Sequence, residues 1–354
     1  MKALVLSGGS GTRLRPISHS LPKQLVPLAN RPLLEHVLQG IRDIGITEVG
    51  MVVGDHGSQI RQALGGGSWN DVEITYLTQE SPRGLAHAVR VARGYLGDDD
   101  FLLHLGDNLL PDGLGGGAAE FRRGGAGAHL LVQKVPDPRP FGVVELDRDG
   151  RVVRLVEKPQ RPRSNLALIG ACFFTPAVHV AVDAIRPSRR GELELTDAVQ
   201  WLVDQGVAVR ASEYTGYWKD VADSDDVLTG NRRLLEGVDA QRGGDVDPFS
   251  AVGPRVSIAA GARIIRSHVE GPTIIGAGSV IEDSHVGPYT SVGRDCLIRG
   301  SELSGSVVMD GAKISQVTRL TDSIIGRGTE IGRGDRHAGH RVVSGDHARI
   351  EVPW

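Results

Sequence analysis

From residue 258 onward, aliphatic residues return at intervals of six. Ile258 and Ile264 come first, then Ile274, Val280, Val286, Val292 and Ile298, then Val308, Ile314 and Leu320, and finally Ile325 and Ile331. Gly, Ser, Asp and other small polar residues separate them. No helix has a period of six. This repeat marks a parallel β-helix, in which each short strand turns one aliphatic side chain inward and a turn follows. Three hexads make one triangular coil, so residues 250–335 predict roughly four to five coils. The breaks near 269–274 and 303–308 predict residues gained or lost at turns. A β-helix leaves an exposed edge and end, which call for a cap or a partner. Val342 to Trp354 is a candidate cap, and a homo-oligomer is expected.

Up to about residue 240 the pattern is different. Strands are expected at Ala3–Leu6, Glu48–Val53, Glu73–Leu77 and Phe101–Leu105, with helices at Leu33–Ile44, Ser58–Leu64 and Leu85–Tyr95. This alternation predicts an α/β domain with a largely parallel sheet. Val143–Asp147 and Val152–Val156, joined by Asp149-Gly150, read as a hairpin. Ile169–Phe174 reads as a strand and Leu195–Gln205 as a helix. The chain therefore divides into residues 1–240 and 250–354. Ligands of such sheets bind beyond the carboxyl ends of the strands. Two such ends are Ser7-Gly8-Gly9-Ser10-Gly11 and Gly106-Asp107-Asn108.

Charge bears on the ligand. The net charge of −3 argues against nucleic-acid binding. Yet Lys2, Arg13, Arg15, Lys23 and Arg31 all precede the first acid, Glu35, which suits a small anion. An organellar transit peptide is set aside, because a strand pattern begins at Ala3. Cys172 and Cys296 lie far apart in apolar surroundings and read as reduced core residues of a cytoplasmic protein. No run of about eighteen apolar residues exists, so no membrane span is expected.

The opening loop fits neither common glycine fingerprint. A Walker A loop requires a lysine that is missing here, and a dinucleotide fingerprint would put glycine where Leu14 stands. Arg13 behind the glycines, with Lys23 ten residues on, favours phosphate binding over an empty turn. Asp107 at a strand end could hold Mg²⁺. By itself Asp107-Asn108 is an ordinary turn; the metal reading needs a second carboxylate, which Asp220 in Trp218-Lys219-Asp220 offers. Glu157-Lys158 is either a solvated strand end or a sugar-phosphate contact. Gln79 is either a surface residue or a reader of a pyrimidine edge, since its carboxamide both donates and accepts. No Gly-x-Ser-x-Gly elbow and no zinc-spaced His/Cys cluster is present. Cations, a divalent metal and no covalent nucleophile suit direct phosphoryl or nucleotidyl transfer.

Leu6 to Pro16 followed by Pro22-Lys23-Gln24-Leu25 closely resembles the signature of the sugar-phosphate nucleotidylyltransferases. Gln79 to Ala86, Gly106-Asp107-Asn108, Phe141 to Val144, Glu157-Lys158-Pro159 and Gly191 to Asp197 match in the same order. The set is similar to the glucose-1-phosphate thymidylyltransferases, in their long form with a C-terminal left-handed β-helix, and it covers essentially the whole chain. The resemblance implies a Rossmann-like domain with a mostly parallel mixed sheet. It implies that Leu6, Gly8, Gly9, Gly11, Thr12 and Arg13 embrace the nucleotide, with Gln79 and Gly84 on the thymine edge. It further implies Arg13, Lys23, Asp107 and Lys158 as catalytic, with Mg²⁺ on Asp107 and Asp220. Gly142, Glu157, Lys158 and Gly170 would take the sugar phosphate. One departure stands out: the family's Trp-x-Asp-Thr-Gly is Trp218-Lys219-Asp220-Val221-Ala222 here.

The expected reaction is transfer of a thymidylyl group from dTTP to α-D-glucose 1-phosphate, opening a deoxysugar pathway. UTP or another sugar 1-phosphate is the alternative. An acyltransferase using His268 or His285 is disfavoured, since both are expected on a coil's exterior and no inserted loop is present. A non-catalytic subunit is disfavoured by retention of Arg13, Lys23, Asp107 and Lys158.

Overall fold

A computed structural model describes residues 1–9 and 11–332. Ser10 and the candidate cap Val342 to Trp354 lie outside the described residues. The chain forms two compact units, Met1–Ser10 with Leu34–Asp220 and Gly11–Leu33 with Val221–Trp354.

In the first unit the strands are β1 (Lys2–Ser7), β2 (Glu48–Val53), β3 (Ser68–Trp69), β4 (Val72–Thr78), β5 (Phe101–Leu105) and β6 (Asn108–Leu109). They continue with β7 (Ala128–Lys134), β8 (Gly142–Leu146), β9 (Val152–Glu157), β10 (Leu166–Phe174), β11 (Val209–Glu213) and β12 (Lys219–Asp220). Ten of them form one mixed sheet in the order β9-β8-β10-β5-β1-β2-β4-β3, with β7 joining β10 to β11. The parallel heart is β5-β1-β2-β4, in register Lys2 to Phe101 and Ala3 to Val49. Ala3, Leu4 and Val5 are fully buried, as expected of a strand covered on both faces. Phe101 and Phe174 meet at 5.6 Å between ring centroids in the core beneath. The expected hairpin is β8–β9, antiparallel. The expected helix Leu85–Tyr95 is instead two, Leu85–Val91 and Arg93–Leu96.

Strand β10 shifts register between Leu168 and Cys172. Gly170 sits in that shift. A Cβ there would come within 2.6 Å of the Asn108 carboxamide carbon, so this close approach requires glycine.

The second unit joins an N-terminal arm to the coils. Residues 11–33 form three 3-10 turns and a hairpin pairing Pro27–Leu28 with Arg31–Pro32, turned by Ala29 and Asn30 at positive φ. Asn231, on the helix Ser224–Leu235, is fully buried. Its Oδ1 accepts from Ala29 N at 2.8 Å and from Ser291 Oγ at 2.7 Å. Asn30 Nδ2 donates to Val292 O at 2.5 Å. One carboxamide thus ties the hairpin of the arm to a coil that lies 60 residues downstream of Asn231.

The coils form three parallel ladders of six, six and five strands among the described residues, starting at Gln241. Each strand pairs with one about a coil later, as Ser257 pairs with Ile274 and His268 with His285. Two expected inward positions are corrected. Ile274 and Val280 are only partly buried, while Ile275 and Ile281 are fully buried. The inward set runs Ile258, Ile264, Val269, Ile275, Ile281, Val286, Val292, Ile298 and Leu303. One side of the coil is five residues long rather than six in three successive turns, Ile264 to Val269, Ile281 to Val286 and Ile298 to Leu303. Its corner is made by Arg266, Asp283 and Gly300, all at positive φ, a tight turn that removes one residue. Ser267, Ser284 and Ser301 follow, and the hydroxyls of Ser267 and Ser284 accept from the next serine's backbone N–H at 3.0 and 3.1 Å.

Candidate active site

In the first unit the carboxyl ends of β1, β2, β4 and β5 lie side by side, as the register requires. Gln79 follows β4, and its backbone N–H donates to Val53 O at 2.9 Å. Its side chain turns toward the end of β1: a Cβ on Gly8 would stand 3.6 Å from Gln79 Oε1. The carboxamide is fixed from its other end. Gln79 Nε2 lies 2.9 Å from Nδ1 of His87 and donates to Gly84 O at 3.3 Å. Burial, then the charges of Arg83 and Arg90, lower the His87 pKa, so the ring stays neutral at pH 7 and accepts from Gln79. Gln79 Oε1 is therefore presented as an acceptor. Gly84 itself needs φ of +103° and would drive a Cβ into the Leu193 carbonyl. Leu193 pins this loop on both sides, donating to Arg83 O at 2.8 Å and accepting from Ala86 N at 3.0 Å.

Beyond β5, the residue that follows Asp107 is brought opposite Asp220. Strand β6 pairs antiparallel with β12, and Asn108 stands opposite Asp220. Asn108 is buried and organises the spot. Its Nδ2 donates to Asp107 Oδ1 at 2.9 Å, while its Oδ1 accepts from Trp218 Nε1 at 2.6 Å and from Gly170 N at 3.3 Å. Nearby, the Ser7 hydroxyl is buried without a hydrogen-bond partner among the described residues, 2.5 Å from where a Gly106 Cβ would stand. A buried, unsatisfied hydroxyl against Gly106, next in the chain to Asp107, and the Asp220 carboxylate on the strand paired with β6 are hard oxygen donors of the kind that fits a divalent cation such as Mg²⁺. Val221 and Ala222, which replace the family's Thr-Gly, are both buried, and Ala222 N donates to Asp226 Oδ2 at 2.9 Å within the second unit.

A cleft of about 160 Å³ opens beside this spot. Gly142, Glu157, Lys158, Gly170, Thr196 and Asp220 line it. Glu157 is held in place: Oε2 accepts from Thr196 Oγ1 at 3.2 Å and Oε1 from Arg190 at 3.3 Å. Gly142 keeps the floor low, because a Cβ would come within 2.8 Å of the Thr196 methyl. Lys158 is exposed, with φ of +40°, and its N–H donates to Phe141 O at 3.0 Å. The wall includes Cys172, whose thiol burial pushes up to about 12, so it is no nucleophile.

In the second unit, Thr12 and Arg13 occupy a single exposed 3-10 turn. Gly11, at φ of +60°, packs so close to Lys23 that a Cβ would stand 3.1 Å from the lysine Cβ. Lys23 is buried, and Ser18 Oγ donates to Gly11 O at 2.7 Å. Gly11 and Lys23 are thus locked together. In the first unit Leu6, next to last in β1, is buried, and Gly8 and Gly9 are exposed after the strand.

Residues 2–237 match the nucleotidyl transferase family, and residues 269–352 match the GMPPB C-terminal domain. The chain belongs to the nucleotidyl transferase family. Over 99% of both chains it is 48% identical to a glucose-1-phosphate thymidylyltransferase of Streptomyces griseus and 49% identical to one of Streptomyces antibioticus. A solved Bacillus anthracis structure, assigned as a glucose-1-phosphate thymidylyltransferase and holding sucrose, superposes with a TM-score of 0.62 at 30% identity. It covers 68% of this chain and 98% of its own.

For a nucleotidyl transferase, three side chains of the site escape a reading of the sequence by motif. Asn108 reads as a turn residue, yet it is the hub between Asp107, Gly170 and Trp218. Arg190 reads as one arginine of a polar loop, yet it braces Glu157, Glu192 and Glu194. His87 carried a usable signal: it sits two residues after Leu85, on the first turn of the helix behind Gln79.

Proposed function

We propose that this nucleotidyl transferase condenses dTTP with α-D-glucose 1-phosphate, forming dTDP-glucose and releasing pyrophosphate. The observation that carries the reading is the fixed carboxamide of Gln79. With Nε2 committed to His87 and Gly84, only Oε1 is left for the base, and an acceptor there matches the N3–H of thymine or uracil. Adenine and cytosine carry no proton on the corresponding ring nitrogen.

A phosphate oxygen of the sugar phosphate attacks the α-phosphorus of dTTP; the new P–O bond forms as the bond to the β-phosphate oxygen breaks. The attacking oxygen is already anionic at pH 7, so no general base is needed. Repulsion between two anions is the barrier, and cations placed before the reaction lower it. Arg13 is assigned to the leaving pyrophosphate and Lys23 to phosphates at the reacting centre. Lys158 takes the sugar phosphate, and Glu157, oriented by Thr196 and Arg190, accepts from sugar hydroxyls. Asp107 and Asp220 are assigned to Mg²⁺, which when bound neutralises phosphate charge. Leu6, Gly8, Gly9, Gly11 and Thr12 form the nucleotide wall, with Gly142 and Gly170 flooring the sugar cleft. The substrates imply a cytoplasmic site of action, and a β-helix, whose edge and end call for a cap or a partner, implies a homo-oligomer.

Pyrophosphate release from a panel of nucleoside triphosphates and sugar 1-phosphates tests this. UTP in place of dTTP is the outcome that would replace thymidylyl by uridylyl transfer. A hydrophobic contact to the single methyl separates the two only about 10–200-fold.

A further inference from the structure

The β-helix carries a second cluster that nucleotidyl transfer does not use. Val269 and Val286 point into the coil and are fully buried. Alternation along a strand therefore sends His268 and Glu270 outward on one face. Parallel pairing sets His285 directly beside His268, one coil on. Backbone bonds from His268 N to Ser284 O and from His285 N to Ser301 O, each 2.9 Å, hold both positions. The imidazoles meet edge to face, with centroids 5.2 Å apart. Glu270 Oε1 lies 3.5 Å from His268 Nε2 and 3.1 Å from His285 Nε2. All ligand atoms of the trio fall within 4.8 Å of one another.

We propose that His268, Glu270 and His285 form a binding site for a borderline divalent metal ion of the Zn²⁺ class. Zinc bound tetrahedrally at about 2.0–2.1 Å to nitrogen and oxygen spaces its donors about 3.3–3.5 Å apart. The two measured donor pairs bracket that spacing, and a small ring rotation closes the third. Two imidazoles and one carboxylate favour zinc, cobalt or nickel over magnesium or calcium. The neighbours leave the site accessible. Arg266, which lines the same groove, is tied to Glu282 at 2.9 Å and to Asp283 at 2.7 Å. Glu302 follows in register below His285, its Oε1 3.9 Å from His285 Nδ1. A carboxylate there favours the tautomer that turns the Nε2 lone pair toward the metal. Three protein ligands leave a position open in a shallow groove of about 490 Å³. The ligands come from two consecutive coils, so the ion staples one to the next.

The test uses the full-length protein, stripped of metal with a chelator and titrated with Co²⁺ as a coloured stand-in for Zn²⁺. The proposal expects saturable visible d–d absorption of low-symmetry Co²⁺, abolished by added Zn²⁺. The His268→Gln/His285→Gln double variant should lack it, and Glu270→Gln should bind on the order of tenfold more weakly. All variants should keep pyrophosphate release with Mg²⁺ and a metal-free unfolding temperature like the parent's. No Co²⁺ spectrum in the parent, or an unchanged spectrum in the double variant, would overturn the proposal.

Discussion

Nδ1 of His87 lies 2.9 Å from Nε2 of Gln79, and that contact decides which way the carboxamide faces. His87→Ala should free it to rotate. We expect KM for dTTP to rise roughly three- to tenfold, the worth of one neutral hydrogen bond, with kcat little changed. Discrimination against dCTP should fall, because a rotated carboxamide offers a donor to the base. An unchanged dTTP/dCTP ratio would remove His87 from base recognition.

The same contact predicts a pH dependence. The His87 pKa is lowered from 6.5, by burial first and then by Arg83 and Arg90; Arg186 lines the same cavity. The ring accepts only while neutral. KM for dTTP should therefore be flat from neutral pH upward and rise as pH falls below 6.5. His87→Asn, which still offers an acceptor but does not titrate, should flatten this rise.

Glycine is required where Gly170 meets Asn108. Gly170→Ala would push the Asn108 side chain, and with it the support of Asp107 and Trp218. A displacement of this size should cost on the order of 10² in kcat. The far-ultraviolet circular dichroism should stay unchanged, since Gly170 sits where the ladder is already shifted.

Asn231→Ala would leave Ala29 N and Ser291 Oγ without their acceptor in a buried place. The expected loss is about 1–3 kcal/mol, visible as an unfolding midpoint lowered by several degrees. The arm that Asn231 holds carries Arg13 and Lys23, so kcat should fall as well. A variant as stable and active as the parent would show that the arm is held by other contacts.

His104, on β5, is buried, and desolvation lowers its pKa from 6.5 to about 4. The native state therefore favours the neutral ring. Its contribution is complete above pH 6.5 and is lost as pH falls from 6.5 to about 4, in total about 3 kcal/mol. Denaturant unfolding of His104→Phe should show a shallower loss of stability across that window.

Much of the fold was legible. Glu48–Val53 and Phe101–Leu105 are mostly apolar runs that stop at a glycine, and each forms a strand with those bounds. The coil period was legible, but its phase was not. Ile274-Ile275 and Val280-Ile281 are adjacent aliphatic pairs, and only the short corner at Arg266 decides which member points inward. The strap Asn108–Asp220 pairs residues more than a hundred apart, so no local pattern announces it. Asp107, Glu157 and Lys158 could be picked out by residue type. Asn108, Arg190 and His87 act by holding other side chains, which only their contacts reveal.

The measurement that bears most directly on the account is pyrophosphate release by the purified full-length protein with Mg²⁺ and a matrix of dTTP, UTP, dCTP, GTP and ATP against sugar 1-phosphates. Arg13→Ala and Asp107→Ala are run alongside. Release should be fastest with dTTP and α-D-glucose 1-phosphate, with a loss on the order of 10² or more in each variant. Fastest release with a purine nucleotide, or near-parental turnover in folded Asp107→Ala, would contradict it.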